Sequence, residues 1–386
     1  MMRMRCRPII ISLAAALAIS AAPTAAQQVG PSNEQRCAGQ AKTDPQAQVS
    51  ACTALIDGRR LSRRSLAVAH ANRGRAYLAM RDVERAIGDF NQAIRLEPRS
   101  ASHLMNRAIA SDAKDDIPRA IADYDAAIRL DPNLAAAYYN RGLDHRRLGD
   151  LNQAIADFDQ AIRINPKDPA AYNNRGIAYA DRGERENAIA DYDQAIKLDP
   201  KFALAYLNRG LVWQARKDYP RALTDLDTAI KLAPDNAAAY NARGVTLDAT
   251  GDFDRALRDF DKAIALAPGN ASFYDNRGNV WRNKGRLTRA VEDYDKALEL
   301  VPDFALAFYN RAQAYYLSGR FREALADADR VAALTANSAS ALSLRGLIQE
   351  KLGAREAAIT DLRRAAALDP NLRQPLEALQ RLGVQP

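Results

Sequence analysis

Apolar and polar positions along this chain repeat with a period of 34 residues from Ala67 to Leu372. Numbering the unit so that its recurrent proline is position 32 sets nine starts: Ala67, Ala101, Ala135, Pro169, Ala203, Ala237, Ala271, Ala305 and Ala339. In each unit, position 4 (Tyr138, Tyr172, Tyr206, Tyr240, Tyr274), a small residue at 8 and a frequent aromatic at 11 share one stripe, which predicts a first amphipathic helix. Glycines at position 15 (Gly149, Gly183, Gly251, Gly285, Gly319, Gly353) mark its end, and an acidic residue follows as the cap of a second helix in most of the first six units. Pro118 and Pro220 stand in that helix's first turn, where a missing N–H is harmless.

The second helix carries alanine at position 20 in all nine units, an aliphatic residue at 21, usually an aromatic at 24 and nearly always alanine at 27. Small residues there let two helices approach closely. The proline comb (Pro98, Pro132, Pro166, Pro200, Pro234, Pro268, Pro302, Pro370) then closes each hairpin, with Ala336 at its one gap. A fixed period of this length predicts a stack of supersecondary units in place of globular domains. With few glycines, 7% aromatic residues and abundant Ala, Leu, Asp and Arg, the composition favours helix nearly everywhere.

These small, aromatic, alanine and proline positions, met repeatedly in register, resemble tetratricopeptide repeats over about four-fifths of the chain. The resemblance implies an all-α fold, an α-solenoid of tandem antiparallel helix hairpins wound into a right-handed superhelix, with first helices lining the concave side. Repeat 8 departs from the pattern with Ala328 at the aromatic position, and repeat 9 has Leu344 where asparagine usually stands. Residues 27–66 read as a degenerate helical cap, 67–372 as the nine repeats and 373–386 as a polar closing helix of the kind a repeat stack needs at its end.

Arginine occupies position 7 in every unit (Arg73, Arg107, Arg141, Arg175, Arg209, Arg243, Arg277, Arg311, Arg345), on the side of the first helix that faces the second. Aspartate occupies position 23 just as regularly: Asp89, Asp123, Asp157, Asp191, Asp225, Asp259, Asp293, Asp327 and Asp361. Buried charges are normally paired, so the two rows predict repeated half-buried ion pairs, within the hairpin or to its neighbour, typified by Arg141 and Asp157, Arg175 and Asp191, and Arg209 and Asp225.

Position 6 points the other way and is asparagine at Asn72, Asn106, Asn140, Asn174, Asn208, Asn276 and Asn310. Asparagine costs about half a kcal/mol relative to alanine inside a helix. A primary amide presents the donor and acceptor of a peptide group, so such a row can hold an extended chain; the competing reading is that it caps or bridges neighbouring loops, or persists from a duplicated ancestral unit. The family resemblance implies peptide contact by concave asparagines. Beside them, Leu143, Ile177 and Leu211 at position 9 and Tyr139 and Leu207 at position 5 form a candidate apolar strip, with Arg75, Asn279 and Gln313 making its ends polar.

Residues 1–26 have three arginines, an apolar run from Ile9 to Ile19 and small residues up to Ala26, the layout of a secretory signal peptide. Cys6 precedes the apolar run, so it is not placed as a lipoprotein cysteine. Removing the segment lowers the formal charge from +8 to +5, a mild excess that argues against nucleic acid as partner. Cys37 and Cys52 remain, an even pair that can bridge in an oxidising compartment. The basic run "GRRLSRRS" at 58–65 reads as a solvated turn, so no membrane association is expected beyond what that cluster supports.

His70, His103 and His145 fall on separate repeats, and no metal-ligand motif, GxSxG elbow or phosphate-binding glycine loop occurs. Paired acids such as Asp157 and Asp159 recur too uniformly to mark one catalytic environment. The reading is a non-enzymatic, cofactor-free, exported scaffold, periplasmic or secreted, binding a protein or peptide segment in the groove. The alternative is an assembly subunit of an envelope complex that uses convex or edge surfaces. The pattern sets no oligomeric state.

Overall fold

The computed structural model describes residues 32–39 and 44–385, so residues 1–26, for which a signal peptide is expected, lie outside the described residues. Those residues form 21 α-helices and no strand. The chain divides into two compact units between Asp116 and Ile117, inside repeat 2.

The first unit begins with the short helix Asn33–Cys37 and the helix Pro45–Asp57, tied by a Cys37–Cys52 disulfide whose Cα atoms are 4.7 Å apart. Cys52 is fully buried and packs with Ala51 and Ala69. The hairpin of repeat 1 follows (Arg63–Ala79 and Val83–Leu96), then the first helix of repeat 2 (Ala101–Ala113). Arg63 and Arg64 of the basic run lie in that first helix, and Arg63 Nε donates to the Leu96 carbonyl at 2.8 Å.

The second unit holds the second helix of repeat 2 (Ile117–Leu130), seven further hairpins from Ala135 to Leu368 and a closing helix Arg373–Arg381. Pro375, Ala378 and Leu379 of the closing helix are buried, and Ala378 and Leu379 pack beside Ile359 and Leu362. Within each hairpin the core is a small residue against a large one. Gly278 at position 8 sits over the Tyr294 ring so closely that a Cβ on it would lie 2.6 Å from the ring, whereas repeat 8 carries alanine at both places, Ala312 and Ala328. In repeat 8 the smaller Ala328 leaves room for the methyl group of Ala312.

Position 15 adopts a left-handed backbone throughout, with φ +83° at Gly149 and +87° at Gly183, and also at Arg81, Asp115 and Lys217, where a side chain is present. That conformation costs a non-glycine residue roughly 1–2 kcal/mol, partly offset by the entropy glycine loses on folding. Lys217→Gly is therefore expected to raise stability by about 0.5–1 kcal/mol in urea unfolding.

Candidate binding face on the first helices

Each hairpin of the second unit is locked by its arginine. Arg175 on the first helix of repeat 4 (Pro169–Asp181) donates from Nε and Nη2 to both oxygens of Asp191 at 2.8 and 2.6 Å, a bidentate pair across the hairpin. Its remaining Nη1 donates to Asp159, at position 25 of the preceding repeat, at 2.5 Å. Arg141, Arg209, Arg243, Arg277, Arg311 and Arg345 make the same two-way contact, Arg141 with Asp157 and Asp125, and Arg209 with Asp225 and Asp193. The aromatic residue at position 4 covers the guanidinium, with Tyr172 5.5 Å from Arg175. One side chain thus closes its own hairpin and ties it to the previous one.

The aspartates at position 23 are almost excluded from water: the Asp191 side chain is 8% exposed. Burial pushes Asp191 and Asp293 up, only partly opposed by their arginines. In the first unit burial also raises Asp89, but hydrogen bonds from Arg73 and from His70, at 2.8 Å, outweigh it and hold that carboxyl below its ordinary value. Arg107 lies in the first unit and donates to Asn91 at 2.8 Å, while Asp123 lies in the second.

The asparagines form rungs between consecutive first helices. Nδ2 of Asn174 donates to the Tyr139 hydroxyl, that of Asn208 to Asn173, that of Asn276 to Asn241 and that of Asn310 to Asp275, each at 2.9 Å. Each rung joins position 6 to position 5 of the preceding repeat and engages one N–H of the amide; Asn174 Nδ2 also donates to the Ala170 carbonyl at 2.9 Å. Asn72 accepts from Arg75 at 2.6 Å, and Asn106 and Asn140 are half-buried. Asp275 is pushed up by burial, against the hydrogen bond from Asn310.

The apolar strip divides. Leu207 is 6% exposed and belongs to the core, and Tyr139 packs edge-on against Phe158, so position 5 faces inward and does not form the outer strip. Leu143 and Ile177 are half-buried, and Leu211 is 40% exposed. Leu204 and Leu306 at position 2 (48 and 52% exposed) and Leu317 at position 13 (61%) extend that face. Positions 2, 9 and 13 lie within about 40° on a helix, with position 6, Asn208, about 40° to the side of Leu204. Among the described residues of the second unit, second helices expose leucine only at their last residue, at Leu130, Leu334 and Leu368. Between repeats 4 and 5 the face deepens into a cleft of about 490 Å³ with Ile177, Ala180, Leu211, Val212 and Ala215 as its apolar lining and Asn208 beside them.

Comparison with family models matches "Tetratricopeptide repeat" over residues 71–135, 139–201, 173–237, 207–271 and 309–372, and "TPR repeat" over 278–319. The chain belongs to the tetratricopeptide repeat family.

Among solved structures, the APC/C hetero-tetramer Cut9–Hcn1 aligns with a TM-score of 0.57 at 16% identity, covering 88% of this chain and 83% of the other. PilW, a widely conserved type IV pilus biogenesis factor, aligns at 0.52 and 24% identity over 55% and 98%. At these identities the likeness is one of fold. Curated protein sequences yield no significant match.

Tetratricopeptide repeats implicate the chain in protein–protein interaction, and proteins of this family are generally non-enzymatic scaffolds. Among the described residues, no group of three or more His, Cys, Asp or Glu is arranged to hold a metal ion, and no helix is long and apolar enough to cross a membrane. The three histidines stay apart: His70 accompanies Arg73 on Asp89, His103 contacts Glu97 at 3.1 Å, and His145 lies 3.9 Å from Asp150 and Asp157.

Proposed function

We propose that this tetratricopeptide repeat protein is an exported scaffold, periplasmic or secreted, whose second unit holds an extended peptide or partner segment against its first helices. The observation that carries this reading is the placement of exposed leucine. Leu204, Leu211, Leu306 and Leu317 lie on one face of the first helices, whereas the bodies of the second helices turn charge outward. Solvent-exposed leucines that recur on one face of the helices of a repeat stack, apart from those at helix ends, favour an interaction surface there. The asparagine rungs hold consecutive first helices in register and leave the side-chain carbonyls of Asn174, Asn208 and Asn276 as acceptors for a peptide N–H.

Export is supported by the layout of residues 1–26 and by the Cys37–Cys52 disulfide, since such bonds persist in oxidising compartments. Nucleic acid is not the partner proposed, because the arginine row of the second unit is matched by two aspartates per guanidinium. Leu204→Asp with Leu211→Asp is expected to lower recovery of partner proteins from an envelope fraction by about ten-fold or more. Ala190→Asp with Thr224→Asp, on exposed second-helix positions, should leave it unchanged. The opposite pattern would favour the second helices as the working surface.

A further inference from the structure

The cleft between repeats 4 and 5 contains a buried donor, Arg146 Nε, that the protein itself does not satisfy. Tyr192 and Tyr294 hold equivalent places on their second helices and reach through the hairpin to the first-helix face. The Tyr294 hydroxyl donates to Asn279 at position 9, at 2.9 Å. In repeat 4 position 9 is Ile177, which cannot accept. Tyr192, 1% exposed as a residue, therefore lines the cleft without the hydrogen bond that Tyr294 makes. A phenol is a donor at neutral pH, and burial pushes this one further up.

Arg146 supplies the unmatched donor: its Nε is buried without an acceptor, and its Nη1 lies 3.6 Å from Asp181. Arg185 lies exposed on the same rim. The wall thus offers two guanidinium groups and a phenol against a single carboxylate, above an apolar lining that includes Ile177 and Leu211. Buried donors left without acceptors are costly, and an occupant that brings an acceptor recovers that cost.

We propose that this cleft is the anchor point for the partner segment and receives a bulky apolar side chain next to an aspartate or glutamate. The apolar group rests on Ile177 and Leu211, and the carboxylate accepts from Tyr192, Arg146 and Arg185. This rests on the groove reading above and gives that reading its sequence preference.

The test titrates the full chain into short fluorescein-labelled Gly/Ser peptides carrying a central Leu-Glu, Leu-Lys or Ala-Glu, read by anisotropy, with decanoate as competitor. Leu-Glu is expected to bind about ten-fold or more tightly than the other two. Tyr192→Phe should weaken Leu-Glu by about three- to ten-fold without changing the thermal melt, since Phe158 and Phe260 fill the same position in other repeats. Equal binding of Leu-Glu and Leu-Lys, or no binding of any peptide, overturns the proposal. Peptide binding that ignores Tyr192→Phe but is lost in Leu204→Asp overturns the anchor while leaving the groove reading intact. Decanoate binding without Leu-Glu binding assigns the cleft to a carboxylated lipid and also overturns it.

Discussion

Arg175→Met is expected to lower stability by about 3–5 kcal/mol, because it leaves Asp191 buried without its partner. Asp159, 47% exposed, loses a contact but regains water and adds little. Replacing the acid as well, in Arg175→Met with Asp191→Leu, should recover most of the loss, since the cost lies in a stranded charge more than in the missing bond. Stability in a repeat stack is a sum of local and neighbour terms, so faster hydrogen exchange should centre on Leu151–Ile164, Pro169–Asp181 and Arg185–Leu198, the helices this arginine ties together.

The pH dependence carries a sign. Without Arg175, Asp191 is held above its unfolded value by burial and, secondarily, by the Asp159 carboxylate, so the folded state binds the proton more readily than the unfolded chain. The deficit relative to the parent protein is then full above the variant's raised folded pKa and shrinks as pH falls through it toward the parent's own, less raised, folded value. Urea midpoints at pH 7 and pH 4.5 should therefore show a smaller gap at the lower pH. A variant as stable as the parent at pH 7 would mean that these pairs do not clamp the hairpins.

The second large effect concerns the disulfide. Its loop spans 15 residues, for which chain entropy gives about 3 kcal/mol. The helix Asn33–Cys37 has five residues, too few to persist unaided, so Cys52→Ala should release it. Exchange of amides in residues 33–39 and 45–57 is expected to accelerate by about two orders of magnitude, with repeats 4 to 9 unchanged. Mass spectrometry of exported protein after alkylation should show no free thiol at Cys37 or Cys52. Two alkylated cysteines would remove the bond from the account.

Much of this was legible in the sequence because a repeat prints its own alignment. Arg175 and Asp191 read as partners because both recur without exception, and their helix faces follow from 3.6 residues per turn. The third contact of each arginine was less visible: the aspartate row at position 25 is plain in the sequence, but only the angle between neighbouring hairpins brings Asp159 under Arg175. That angle depends on many small packing contacts and leaves no periodic mark. It also decides that Asn208 meets Asn173 and that Leu207 turns into the core while Leu211 turns out. Leu204 carried a usable signal, lying seven residues before Leu211 on the same face, and position 2 belongs with position 9 on that ground alone.

The most direct test of the account places a photoreactive phenylalanine analogue at Leu211 or at Thr224 in the full chain. Irradiation in an envelope fraction is followed by mapping of the crosslinked residue on the partner. The account predicts crosslinks from position 211 to one short contiguous partner segment and none from position 224; crosslinks from position 224 alone would contradict it.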